Sequence, residues 1–241
     1  MTTTDQTFAM ETASVADIAL RFPQSIGIFN RYNLDYCCNG KKSFQQMCTK
    51  ASLDAASVWS EILAKQEAAT HDPRDVFENW ELPLLIDHIV SHHHAYVRES
   101  IPQLQALLTK ICKVHGDEHP ELEEIRDEFN ELSDELIHHL PKEENVLFPA
   151  IKGMIVKSND RPLLQSIQAP VAVMEDEHET AGRLIKSVRS KTNNFTPPEN
   201  ACLSYQMTFK LLQEFEADLM QHIHLENNIV FPKALALSQR F

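Results

Sequence analysis

The sequence predicts an all-α protein, and three observations carry that expectation. Glycine is scarce, five in 241 residues, whereas hairpins and strand–helix turns consume it. The runs between prolines are long and rich in Leu, Ala, Glu, Gln and Lys, which favour helix. One frame, Glu135-Leu136-x-x-His139-x-x-x-Glu143-x-Asn145-x-x-Phe148-Pro149, also recurs as Asp218-Leu219-x-x-His222-x-x-x-Glu226-x-Asn228-x-x-Phe231-Pro232. Every matched position is offset by 83 residues, so the two copies align without a gap.

Taken in order, the chain begins with a small helical unit, placed at residues 1–70. Ser14 and Asp17 start a helix ahead of Ile18, Ala19 and Leu20, and Pro23 opens a second carrying Ile26, Ile28 and Phe29. Asn39-Gly40 signals a turn, Ser43 caps a short helix through Met47, and another helix covers Leu53 to Gln66. The polar, proline-broken stretch His71-Asp72-Pro73-Arg74-Asp75 marks the break before a second domain at residues 71–241. That domain carries four long helical patterns. They run from Leu82 to Cys112, from Pro120 through Phe148, from Pro170 to Lys191, and from Thr196-Pro197-Pro198 to Phe231. Rods of that length with modest loops, including one at Lys157–Arg161, read as an up-down-up-down four-helix bundle.

A net charge of −13 argues against nucleic-acid binding. No apolar run approaches membrane-spanning length, and Met1 to Gln6 has neither a basic cap nor an apolar signal core. Five cysteines, two of them adjacent, do not form a secreted disulfide framework. A cytoplasmic protein is expected.

Within the repeated frame, a His and a Glu four apart share one helix face. Two such helices facing each other bring two imidazoles and two carboxylates into one volume, and carboxylates so close need protons or cations. His139, Glu143, His222 and Glu226 are the candidate ligands there. The third helix offers His178, on the face of Val171, Met174 and Ile185; a hydrogen-bonded core histidine is its bland alternative. The first helix offers His88, His92, His93 and His94. Its apolar stripe centres nearest His93, whereas the 84-residue step from His94 to His178 nearly repeats the 83 and favours His94. The mixed nitrogen–oxygen set suits iron, manganese or zinc over copper(I), calcium or magnesium. Glu135 and Asp218, one turn before a ligand histidine, are placed to accept its second ring N–H, with solvated surface acids as the bland alternative. Pro141, between His139 and Glu143, is expected to kink the helix and to strain their register.

Cys37 and Cys38 are neighbours whose Cα atoms lie about 3.8 Å apart, below the comfortable span of a disulfide. A bond between them would be readily reduced, which suits a redox pair, and Lys41 and Lys42 would favour thiolate; two half-buried structural thiols are the alternative. Cys48, Cys112 and Cys202 read as ordinary buried small residues.

These residues identify a resemblance. The bundle resembles the hemerythrin-like di-iron domain through Asp87-His88-Ile89 with His93-His94, Glu175-Asp176-Glu177-His178-Glu179-x-Ala181-Gly182, and His222-x-x-Leu225-Glu226-Asn227-Asn228. The segment Tyr32-Asn33-Leu34-Asp35-Tyr36-Cys37-Cys38-Asn39-Gly40-Lys41 is similar to the cysteine-pair domain that precedes it in the iron–sulfur cluster repair di-iron proteins. The resemblance implies two non-haem iron ions, oxo-bridged when oxidised, held by His94, His139, His178, His222 and the bridging Glu143 and Glu226. It implies repair of iron–sulfur proteins damaged by nitrosative or oxidative stress, and a cytoplasmic homodimer, with Cys37 and Cys38 as candidate redox or iron-transfer thiols. A second function stays open beside repair: reduction of nitric oxide, or binding of nitric oxide or dioxygen, at the iron pair. A zinc-bound or metal-free structural bundle is the third reading.

Overall fold

The structure, a computed structural model, describes residues 12–68, 77–156 and 167–238, and among these it is helical with no strand. The expected domain break at His71–Asp75 and the loop at Lys157–Arg161 lie outside the described residues. Among the described residues, no helix is long and apolar enough to cross a membrane. The chain divides into two compact units, residues 1–85 with 223–232, and residues 86–222 with 233–241.

In the first unit, α1 (Val15–Arg21), α2 (Ser25–Arg31), α3 (Phe44–Lys50) and α4 (Ala55–Ala68) are short helices with strong local start signals. Ser14 and Asp17 form a reciprocal capping box, and Ser43 caps α3 by accepting from the Gln46 amide. The Asp54 carboxylate accepts from the Ser57 amide at 3.1 Å ahead of α4. Their apolar faces close on a cluster of rings: Phe22 and Phe44 meet Trp59 edge-on at 5.5 and 5.9 Å, and Phe29 lies 6.0 Å from Tyr36. Gly40 is needed for close approach: a Cβ there would stand 2.5 Å from the Tyr36 carbonyl oxygen and 2.7 Å from the Ala16 Cβ.

The bundle helices are α5 (Leu82–His88) continued by α6 (Ala95–His115), α7 (Glu121–Lys142) continued by α8 (Phe148–Val156), α9 (Gln168–Lys191), and α10 (Leu203–Leu225) continued by α11 (Phe231–Ser238). In the second unit, α7 packs against α6 and α9, and Phe129 of α7 meets Phe215 of α10 edge-on at 5.4 Å. Each rod turns an apolar stripe inward, such as Leu122, Ile125, Phe129, Leu132 and Leu136 on α7. A buried ion pair, Arg189 on α9 to Glu216 on α10, fixes that contact with two-pronged geometry.

Two helix features differ from expectation. The fourth rod begins at Leu203 rather than at Thr196, because Asn193, Asn194 and Phe195 hold left-handed φ of 48°, 56° and 58° and Pro197 keeps Thr196 out of the helical region. The two prolines instead enter a turn closed by the Ala201 amide on the Pro198 carbonyl at 3.0 Å. Three rods also carry a π turn, at Ile89–His94, Glu143–Leu147 and Glu226–Val230. The last two are again offset by 83 residues, so the duplication extends to backbone conformation.

Candidate metal centre

The π turns fall on the positions that carry the candidate ligands, where such insertions re-aim a side chain. His94 ends the first, and Glu143 and Glu226 open the other two. A π turn frees backbone carbonyls, and the same asparagine of the repeated frame answers in both copies. Asn145 Nδ2 donates to the Pro141 carbonyl at 2.9 Å, and Asn228 Nδ2 to the His224 carbonyl at 3.2 Å. The wide turn at 89–94 also explains why periodicity pointed to His93. Residues there rotate less than in an α-helix, so a count at about 3.6 residues per turn drifts across it.

The four histidines form two facing pairs. His94 Nε2 lies 3.1 Å from His222 Nε2, and His139 Nε2 lies 3.1 Å from His178 Nε2. One oxygen of Glu143 sits between the pairs, 3.4 Å from His94 Nε2 and 3.3 Å from His139 Nε2. Pro141 has therefore not spoiled the i, i+4 register of His139 and Glu143. Glu226 lies one turn beyond His222 in the same continuous rod. Within the second unit, His94, Glu143 and His222, and His139, Glu143 and His178, keep their ligand atoms within 4.8 Å, and all six candidate side chains, Glu226 included, are buried.

The outer nitrogens decide which atoms face inward. His94 Nδ1 donates to Glu144 at 2.7 Å and His139 Nδ1 donates to Glu177 at 2.8 Å, leaving each Nε2 with a lone pair directed at its partner histidine. Two imidazole nitrogens at 3.1 Å beside a buried carboxylate form a donor set that a cation can occupy. Donors about 2.1 Å from one cation and at right angles to it stand about 3.0 Å apart, so these spacings fit metal coordination. The residues present can hold metal.

Glu144 and Glu177 were not found from spacing, which instead pointed to Glu135 and Asp218. Glu135 remains on the exposed face of α7. Asp218 accepts from Nδ1 of His93, not His222, at 2.9 Å, and the His93 ring stacks on His222 at 5.7 Å. Contacts between helices decide these partners, and periodicity within one helix cannot see them. Burial works against ionisation of Glu144, yet hydrogen bonds from His94 and Arg98 hold it below the usual carboxylate range; Glu177 is similarly low, held by Lys142 and His139 against its burial.

In the first unit Cys37 is buried and Cys38 is half-buried, and no disulfide joins them. Their sulfurs lie 3.4 Å apart, and the Cys37 thiol meets the Asp35 carboxylate at 3.4 Å. The neighbour at that sulfur is thus an acid, where the sequence draws attention to Lys41 and Lys42. Cys48 and Cys112 are buried as expected, but Cys202 is exposed at the start of α10, 3.2 Å from His115 Nε2.

Comparison with known proteins agrees with this geometry. The model of the hemerythrin HHE cation binding domain matches residues 85–234, and that of a domain of unknown function, DUF542, matches residues 11–66. The chain belongs to the hemerythrin HHE cation-binding family. Among curated relatives, it is similar to the iron-sulfur cluster repair protein YtfE of Escherichia coli O157:H7, 34% identical over 92% of this chain and 96% of that one. The protein of the same name from Cronobacter sakazakii (strain ATCC BAA-894) is 36% identical over the same shares.

Proposed function

We propose that this chain is a di-iron protein that repairs iron–sulfur clusters damaged by nitrosative or oxidative stress in the cytoplasm, acting as a homodimer. The observation that carries the reading is the arrangement of the four inward-facing histidine nitrogens around the Glu143 carboxylate. In this reading His94 with His222, and His139 with His178, would hold the iron together with the carboxylates of Glu143 and Glu226. Bound iron would supply a labile hard cation and one-electron redox chemistry. The chain's own part is to hold Nε2 of His94 and of His139 free of a proton through the carboxylates of Glu144 and Glu177, and to bury the donors away from water. Residues 1–70 form the thiol-bearing domain and residues 71–241 the iron-binding one, with Cys37 and Cys38 as redox or iron-transfer thiols. The likeness to relatives named for iron-sulfur cluster repair over nearly the whole chain supports this role above nitric oxide reduction or dioxygen binding.

The test is restoration of activity to a nitric-oxide-treated iron–sulfur enzyme by the iron-loaded chain. Wild type should restore activity and Glu143→Leu should not. Equal restoration by both would overturn the role of the bundle's metals.

A further inference from the structure

Outside the histidine–glutamate centre, one other cluster of the described residues brings three potential ligands together: Asp35, Cys37 and Cys38, with ligand atoms all within 4.8 Å of one another. We propose that these three residues form a second, separate cation site that takes one thiophilic divalent ion, of the zinc or ferrous class, through one carboxylate oxygen and two sulfurs. The proposal deepens the thiol part of the function above, and it stands or falls without the bundle's metals.

The loop is already shaped for it. Asp35 Oδ1 accepts the amides of Cys37 and Cys38 at 3.2 and 3.0 Å, and Oδ2 accepts from Asn39 Nδ2 at 2.8 Å. Those bonds turn the chain so that both sulfurs fall on the carboxylate's side. The two sulfurs are 3.4 Å apart, the Cys37 sulfur is 3.4 Å from Asp35 Oδ1, and all three ligand atoms lie within 4.8 Å. A cation with bonds of about 2.3 Å to sulfur and about 2.1 Å to oxygen in tetrahedral geometry separates its ligands by about 3.6 Å, so adjustments of a few tenths of an ångström suffice at the first two spacings. The backbone beneath is pinned from the C-terminal turns of the fourth rod. His224 Nδ1 donates to the Tyr36 carbonyl at 3.1 Å, and Asn228 Nδ2 reaches the Tyr36 and Cys37 carbonyls at 3.4 Å. Gly40 lets the loop close against Tyr36 where any side chain would clash. Adjacent cysteines make a poor disulfide, so the pair persists as a dithiol, the form a soft cation captures. Binding replaces the two S–H protons with two metal–sulfur bonds and releases both protons to solvent. Asp35 enters as carboxylate, and no electron moves.

The experiment adds cobalt(II) to the full chain, already iron-loaded and carrying Cys202→Ser to remove the exposed thiol. It records thiolate-to-cobalt charge-transfer absorption and the protons released. One equivalent per chain should give the band and release two protons. Cys38→Ser should abolish the band, and Asp35→Asn should weaken binding by about tenfold or more. Circular dichroism checks that each variant is folded. Glu143→Leu, which removes a donor of the bundle centre, should leave the band unchanged. Failure of cluster repair with the band intact would count against the function proposed above and not against this site. Absence of the band with both thiols reduced, or its survival in Cys38→Ser, would overturn the site.

Discussion

Glu144 and Glu177 show how much a single carboxylate outside the donor set contributes. Each accepts the outer N–H of a candidate ligand histidine and so fixes which nitrogen faces the centre. Glu177→Gln keeps the shape but donates an amide where a carboxylate accepted. Iron affinity, read by competition with a chelator, should fall by about 10- to 100-fold while the fold persists. Unchanged affinity would remove Glu177 from the site. The Arg189–Glu216 pair is a different kind of buried charge. Burial pushes the Glu216 carboxyl up, and Arg189 opposes that by two-pronged hydrogen bonding. Arg189→Met should cost about 3–5 kcal/mol in denaturant unfolding by stranding the acid, and adding Glu216→Leu should recover most of it. Both examples were hidden from the sequence for one reason: a residue's partner across a bundle depends on rotation and axial offset, and neither can be read from one helix.

Among the elements, the π turns connect sequence to site most directly. The duplicated frame was legible at once, and so was its consequence, His and Glu one turn apart. The local departure from α geometry was not, because a π turn has no residue signature comparable to a proline or a cap. Its trace was the one-residue disagreement between the apolar stripe, centred near His93, and the repeat, which favoured His94. The asparagine of the frame has a job in both copies, bonding a carbonyl four residues back. Asn145→Ala should cost about 1 kcal/mol in unfolding and lower the iron content per chain, since Glu143 opens the same turn. A variant with full iron occupancy would separate the turn from the site. The start of the fourth rod shows the opposite failure. Thr196-Pro197-Pro198 resembles a cap with first-turn prolines, but left-handed residues just before it spend those prolines on a turn.

Across the whole molecule, composition and charge settled the class: few glycines, long runs of helix formers, and an acidic balance of −13. The first unit closes on the C-terminal turns of the fourth rod through His224, whose side chain is buried against Tyr36. Burial pushes the His224 imidazole down to about 4 from an ordinary 6.5, against the hydrogen bond to Tyr36. The folded chain therefore keeps His224 neutral while the unfolded chain takes up a proton below 6.5. Stability from this group is fully present above pH 6.5 and is lost as pH falls toward 4, by up to about 3 kcal/mol. In the iron-free chain, His224→Gln should flatten the loss of stability between those pH values; an unchanged slope would show that other groups carry it.

The central claim is that duplicated rods aim imidazole and carboxylate groups at two adjacent cations. An anomalous difference map collected at the iron edge from crystals of the iron-loaded chain tests it most directly. Two peaks are expected, one between His94 and His222 and one between His139 and His178, with Glu143 beside both. A single peak elsewhere, or none in crystals of folded protein, would contradict it.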